Sequence, residues 1–170
     1  MAPSQRIDDL RRRVQRDPAS IAFAQLAEEY RRTGLLAEAV ETCRAGLTTH
    51  PEYTSARVTL GRALLALGHL DEASAELRAV LASAPENLAA TRALADACRR
   101  LGHLPDALTF YTGALRLAPN DPDLERIVAE LGEALAGGQQ AHSDADRGRA
   151  AATVVALEKW LEGIRASRAD

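Results

Sequence analysis

Four prolines lay a ruler along this chain. Pro18, Pro51, Pro85 and Pro119 stand 33, 34 and 34 residues apart, a spacing at which chains stack pairs of helices into linear arrays. Other positions fall into register on the same ruler. Leu26, Leu60 and Leu94 coincide, each followed by a small residue: Ala27, Gly61 and Ala95. Tyr30, Leu64 and Cys98 share the next apolar position, and Gly34, Gly68 and Gly102 fall together. Ala39, Ala73 and Ala107 follow, then Cys43, Leu77 and Tyr111, then Leu47, Leu81 and Leu115. Three registered copies describe similar units side by side rather than one irregular core.

Each residue type suits its place. Glycine at 34, 68 and 102 ends a first helix, where the backbone turns left-handed at no steric cost. Two of these turns are near copies, Leu67-Gly68-His69-Leu70 and Leu101-Gly102-His103-Leu104. Pro105 sits at the start of a second helix, where its missing N–H goes unnoticed. The alanines at 39, 73 and 107 are small because the two helices of a unit cross there. Proline then closes the second helix, since the residue before it avoids helical angles.

In these positions the chain resembles the tetratricopeptide repeat (TPR). Three full units match, over residues 20–51, 54–85 and 88–119. The family pattern is kept in part: Phe23 holds the aromatic start of unit one, but Arg57 and Thr91 stand there later. Gly46 and Val80 replace the late alanine that Ala114 keeps. The resemblance implies an all-α fold, a right-handed α-solenoid of helix-turn-helix units. It also implies a non-catalytic scaffold or adaptor that holds a partner's peptide or helix in its concave groove.

Composition agrees with a helical array. Alanine and leucine make up about a third of the chain while aromatics are 4%, so few strand formers remain. The flanks extend the array. Residues 1–17 read as a half-repeat capping helix, with Ile7, Leu10 and Val14 on its dry side and Arg11, Arg12, Arg13 and Arg16 on its wet side. Repeats occupy 18–120. A partial fourth unit covers 121–136, with Leu124, Ile127, Val128, Leu131 and Leu135 along one stripe. Gly137 and Gly138 are expected to stop it, and the polar stretch 137–148 reads as a flexible linker. A last amphipathic helix is expected over 149–170, with Val154, Leu157, Trp160, Leu161 and Ile164 on one face.

No constellation for catalysis emerges. Gly137-Gly138 lacks the Lys-Ser/Thr of a phosphate loop. His69 and His103 sit one repeat apart, on the order of 10 Å, too far to share a zinc ion, and His50 reads as a helix-end cation. Cys43 and Cys98 lie in apolar helical patterns without a neighbouring base, so both read as packing residues. Asp8-Asp9, Glu28-Glu29 and Asp71-Glu72 read as solvated pairs. No enzyme, metal or cofactor is expected. A net charge of −3 argues against nucleic acid, and no apolar run is long enough for a membrane span. Nearly all positive charge is arginine, Lys159 being the only lysine; a small bacterial-type cytoplasmic protein is the expectation.

The groove can be read from the stripe opposite the buried positions. Its candidate partner-binding residues are Glu28, Arg31, Tyr53, Arg62, Arg92, Asp96, Arg99 and Arg126. The family's carboxylate clamp needs lysines and asparagines where this chain has Ala24, Glu28, Thr59, Ala89 and Ala93, so that clamp is absent. Arg62, Arg92 and Arg99 together favour a ligand with carboxylates or apolar-acidic segments. Two alternatives stay open. Glu28, Arg62 and Asp96 are equivalent positions and could pair with one another instead. The Trp160 helix could cap the array, fill the groove, or join a second copy in a homo-oligomer.

Overall fold

The computed structural model describes the backbone of residues 3–17 and 20–167, and the side chains of all of these except 3–4, 141–142 and 156–167. Eight helices are present among the described residues: α1 Pro3–Arg16, α2 Ala22–Arg32, α3 Leu36–Thr49, α4 Thr54–Leu67, α5 Leu70–Ser83, α6 Leu88–Arg100, α7 Leu104–Leu117 and α8 Pro122–Ser167. Residues 1–128 form one compact unit and 129–170 another.

In the first unit the turns follow the glycine argument. Gly34, Gly68 and Gly102 have φ of 83°, 88° and 81°. After each, an N–H reaches back over the helix end: Leu35 to the Tyr30 carbonyl, His69 to Leu64 and His103 to Cys98, all at 2.9 Å. That is the bond pattern of a Schellman cap, and it aims the next helix back along the first. The proline argument holds at the other end. His50, Ala84 and Ala118 precede Pro51, Pro85 and Pro119, and their φ values of −126°, −138° and −134° have left the helical range.

Helix α2 packs on α3, α4 on α5 and α6 on α7, while α2, α4 and α6 stack on one another. The registered positions fill the space between: Leu26, Leu60, Leu94, Cys43, Leu77 and Tyr111 are buried, with alanines 39, 73 and 107 wholly enclosed. Helix α1 lays Ile7 and Leu10 into the same core. From its wet side Arg11 donates to the Tyr30 hydroxyl through Nε at 3.1 Å and Nη2 at 2.9 Å.

The departures from the repeat pattern compensate one another. In α3 a Cβ on Gly46 would stand 2.0 Å from Phe23 Cδ2, so the glycine is the space the ring needs. In the next pair Arg57 turns outward to Glu76 (2.7 Å) and to the Pro51 carbonyl (2.7 Å), and Val80 fills the interior. In the third, the smaller Thr91 is buried and Ala114 suffices. The first pair thus sets a large ring against a glycine, while the other two carry a bulkier residue at the glycine's register position and no ring opposite, as close packing requires.

Two expectations are corrected. Gly137 and Gly138 do not stop a helix; α8 runs through them and through 139–148, where a linker was expected. Neither glycine takes a positive φ, and alanine, leucine and glutamine on either side carry the helix past a cost of about 1 kcal/mol per glycine. Tyr53, assigned to the groove entry, instead lies half-buried against the Phe23 ring, 5.7 Å between centroids. In the second unit, taken by itself, the described side chains of 129–140 and 143–155 are exposed or half-buried. Val154 and Val155 there are 53% and 51% exposed. The side chains of Leu157, Trp160, Leu161 and Ile164 lie outside the described residues.

Candidate functional site

Helices α2, α4 and α6 each turn one face away from their second helices, and a cleft of about 780 Å³ opens along that side. Its charged lining is Arg31 from α2, Arg62 from α4, and Arg92, Asp96, Arg99 and Arg100 from α6. Leu65, Ala66, Leu88, Ala89 and Ala93 form an apolar shelf beside them. Five arginines against one aspartate make this a positive recess on a chain whose net charge is −3. Such a recess concentrates field lines toward an anionic partner.

Internal partners hold most of these cations. Arg31 forks onto Glu28 in its own helix, Nε to Oε2 at 2.9 Å and Nη2 to Oε1 at 2.6 Å. The Thr59 hydroxyl donates to the same Oε2 at 3.2 Å. The hydrogen bond from Arg31 holds the Glu28 carboxyl below its usual range against partial burial, and the charge of Arg62 adds to the effect. Arg92 reaches Asp121 at 3.0 Å, and the other oxygen of Asp121 caps α8 by accepting from the backbone N–H of Asp123 and Leu124 at 3.0 and 3.2 Å. Arg99 stands 3.9 Å from Asp96, and Asp96 also accepts from the buried Tyr111 hydroxyl. Burial first, then donation to Asp96, pushes the Tyr111 phenol well above its ordinary value. Arg100 donates to the Leu65 carbonyl.

The structure therefore brings together Arg31, Arg62, Arg92, Asp96 and Arg99 from the sequence candidates. Glu28 stands behind the cleft as the partner of Arg31 and Thr59. Arg126 lies on α8 with Asp123 at 3.8 Å and does not line the recess. The pairing of Glu28, Arg62 and Asp96 with one another does not form: the first and third take local partners. Leu88 is the lining residue that helical periodicity missed. It opens α6 just after the Asn87 cap, whose side chain accepts from the Ala90 N–H at 3.0 Å, and a first-turn residue projects beyond the stripe. Of the five positions of the family clamp, Ala24, Thr59 and Ala93 are buried, Glu28 is half-buried and Ala89 is exposed. Among the described residues no group of three or more His, Cys, Asp or Glu could hold a metal ion, and no helix is long and apolar enough to cross a membrane.

The family model described as tetratricopeptide repeat matches residues 58–122. Solved structures extend the likeness over most of the chain. MamA 41-end from Desulfovibrio magneticus RS-1 superposes with a TM-score of 0.73 at 19% identity, over 83% of this chain and 80% of that one. The fold is an all-α, right-handed, TPR-like solenoid. TTC0263, a thermophilic TPR protein in Thermus thermophilus, gives a TM-score of 0.62 at 27% identity over 74% and 70% of the two chains. The first TPR of Spaghetti (RPAP3), bound in its structure to the HSP90 peptide SRMEEVD, gives 0.66 at 19% identity over 70% and 94%. No curated protein sequence matches the chain. The arginine cleft lies along the face that α2, α4 and α6 share.

Proposed function

We propose that this protein is a non-catalytic TPR adaptor that holds a segment of a partner protein in the cleft between α2, α4 and α6. In this reading residues 18–120 are three repeats, 1–17 is a half-repeat cap and 121–136 starts a fourth unit that never gains its second helix. The observation that carries it is the cleft itself, a positive recess with an apolar shelf on an otherwise acidic chain. An extended or helical peptide with acidic and apolar residues fits both parts. The TPR of Spaghetti, seen with a peptide bearing three acidic residues, gives a precedent in the fold. Its chaperone peptide is not the expected ligand, because the clamp positions carry alanines, a threonine and an acid, Glu28, in place of lysines and asparagines. The cytoplasm is the proposed location, and nucleic acid, membrane and cofactor form no part of the function.

The test is to identify the partner by affinity capture with the full chain, then to repeat the capture with Arg62, Arg92 and Arg99 all changed to Glu. Capture should fall at least tenfold while the far-ultraviolet circular dichroism is unchanged. Undiminished capture by the triple variant would remove the cleft from consideration.

Self-association through the end of α8 is the second reading, favoured by the half-exposed Val154 and Val155. Light scattering on the full chain and on Val154→Glu decides it. A monomer at high concentration in the unaltered chain ends this reading.

A further inference from the structure

Resting on the cleft as the peptide site, we infer that it contains a single carboxylate seat, the guanidinium of Arg62, and that the other cleft arginines shape the wall rather than read the ligand. Arg62 sits in the third turn of α4, half-buried, between the Arg31 wall and the shelf of Leu65 and Leu88. Among the described residues it makes no hydrogen bond and no ion pair. Its neighbours explain why. The carboxylate that feels its charge, Glu28, is already occupied on both oxygens by Arg31 and on one of them by Thr59.

The remaining arginines differ in kind. Arg31 is locked in a two-point fork, Arg92 is tied to the residue that caps α8, and Arg100 is bonded to a backbone carbonyl. Arg99 faces Asp96, which Tyr111 fixes in place from the interior. At Arg31 a ligand carboxylate must break the fork, and at Arg92, Arg99 and Arg100 it meets a guanidinium already committed in part to an internal partner, whereas at Arg62 the whole fork is open. A planar guanidinium with a free edge takes a carboxylate through two parallel bonds of about 2.7–2.9 Å. Partial burial makes that contact stronger than it would be in open water. The shelf beside it sets the rest of the preference: a glutamate or aspartate flanked by apolar side chains.

The probe is a fluorescein-labelled, C-terminally amidated peptide of alternating leucine and glutamate, compared with its leucine–glutamine counterpart. Fluorescence anisotropy on the full chain at low salt reads both affinities. The glutamate peptide should bind about tenfold or more tighter than the glutamine one. Arg62→Gln should erase that ratio. Arg92→Gln should shift both peptides together and keep the ratio, and Arg116→Gln, an exposed arginine outside the cleft, controls for net charge. Equal binding of both peptides to the unaltered chain, insensitive to Arg62→Gln, would refute the seat while leaving a peptide groove. A ratio that survives Arg62→Gln, or collapses equally with Arg92→Gln or Arg116→Gln, would show diffuse attraction and also refute it. Failure of both peptides to bind the unaltered chain would count against the seat and the groove alike.

Discussion

Replacing Gly46 with alanine sets two forces against each other. Helix propensity alone favours the change by about 1 kcal/mol, because glycine is poor inside a helix such as α3. Packing opposes it. The added Cβ would lie 2.0 Å from Phe23 Cδ2 and 2.3 Å from Cε2 and Cγ. Carbon atoms rest at about 3.5–4.0 Å, so the ring would have to retreat by roughly 1.5 Å. It is 2% exposed, stacked on His50 at 6.0 Å and tilted against Tyr53 at 5.7 Å, so little room is available. Overpacking costs typically about 1–3 kcal/mol, and a displacement this large belongs at the upper end. The net loss is then about 2 kcal/mol. Urea unfolding followed by circular dichroism should show a lower midpoint with an unchanged slope. The decisive variant pairs Gly46→Ala with Phe23→Thr, which copies the Thr91 and Ala114 solution of the third helix pair. Phe23→Thr alone should cost about 3 kcal/mol by leaving a cavity. In its background the alanine should stabilise, giving a coupling of roughly 2–3 kcal/mol. A stabilising Gly46→Ala, or costs that simply add, would refute the packing argument.

Burial pushes the Cys43 thiol up to about 12 and raises that of Cys98 as well. Neither should react with a disulfide reagent at about pH 8 until the chain unfolds. A raised folded value also means that the stability Cys43 contributes is complete below its unfolded value near 9 and lost as pH climbs toward 12, which Cys43→Ala should flatten in alkaline unfolding curves. Glu28 carries the opposite sign: its lowered value contributes stability above about pH 4.5 that disappears as pH falls through the folded value. Glu28→Gln should therefore narrow the difference between urea midpoints at about pH 5.5 and about pH 3.5; an unchanged difference would contradict this. Gly68→Ala meets only Arg100 Nη2 at 3.7 Å, so its cost is backbone alone at φ 88°, about 1–2 kcal/mol. Gly137→Ala, inside α8 with open space around it, should instead raise helicity in circular dichroism. The same substitution thus has opposite signs at two glycines, and agreement in sign would undo the assignment of one of them.

The turns and pair contacts were legible because local chemistry and tertiary packing point the same way. Gly34 is followed by Leu36, Gly68 by Leu70 and Gly102 by Leu104, each starting a helix with a face to bury against the one before. Gly137 and Gly138 carry the same residue type without that sequel. Gln139 and Gln140 have nothing to gain by turning back, so the helix continues. Helical periodicity put Arg31, Arg62, Arg92 and Arg99 on the face where the cleft opens, but it also put Arg126 and Tyr53 there and passed over Leu88. Tyr53 and Leu88 both sit at the edge of a helix, where the backbone no longer dictates direction, and Tyr53 is claimed by the Phe23 ring. Which arginine lacks a partner was beyond the sequence. It depends on three atoms converging on Glu28 from α2 and α4, and no spacing rule records that.

The match of Phe23 to Gly46 is closed within a helix pair, and Thr91 and Ala114 hold the same two register positions within another. Recombination inside this coding sequence is constrained accordingly. A crossover in the 50–53 connection, resolved against 84–87, drops one whole pair and leaves each remaining volume match intact. A crossover at the Gly34 turn, resolved against Gly68, fuses α2 to α5 and sets Phe23 against Val80 in place of glycine. The smallest portable part of this molecule is the helix pair, and copies of the repeat are free to be gained or lost only at the proline turns that divide them.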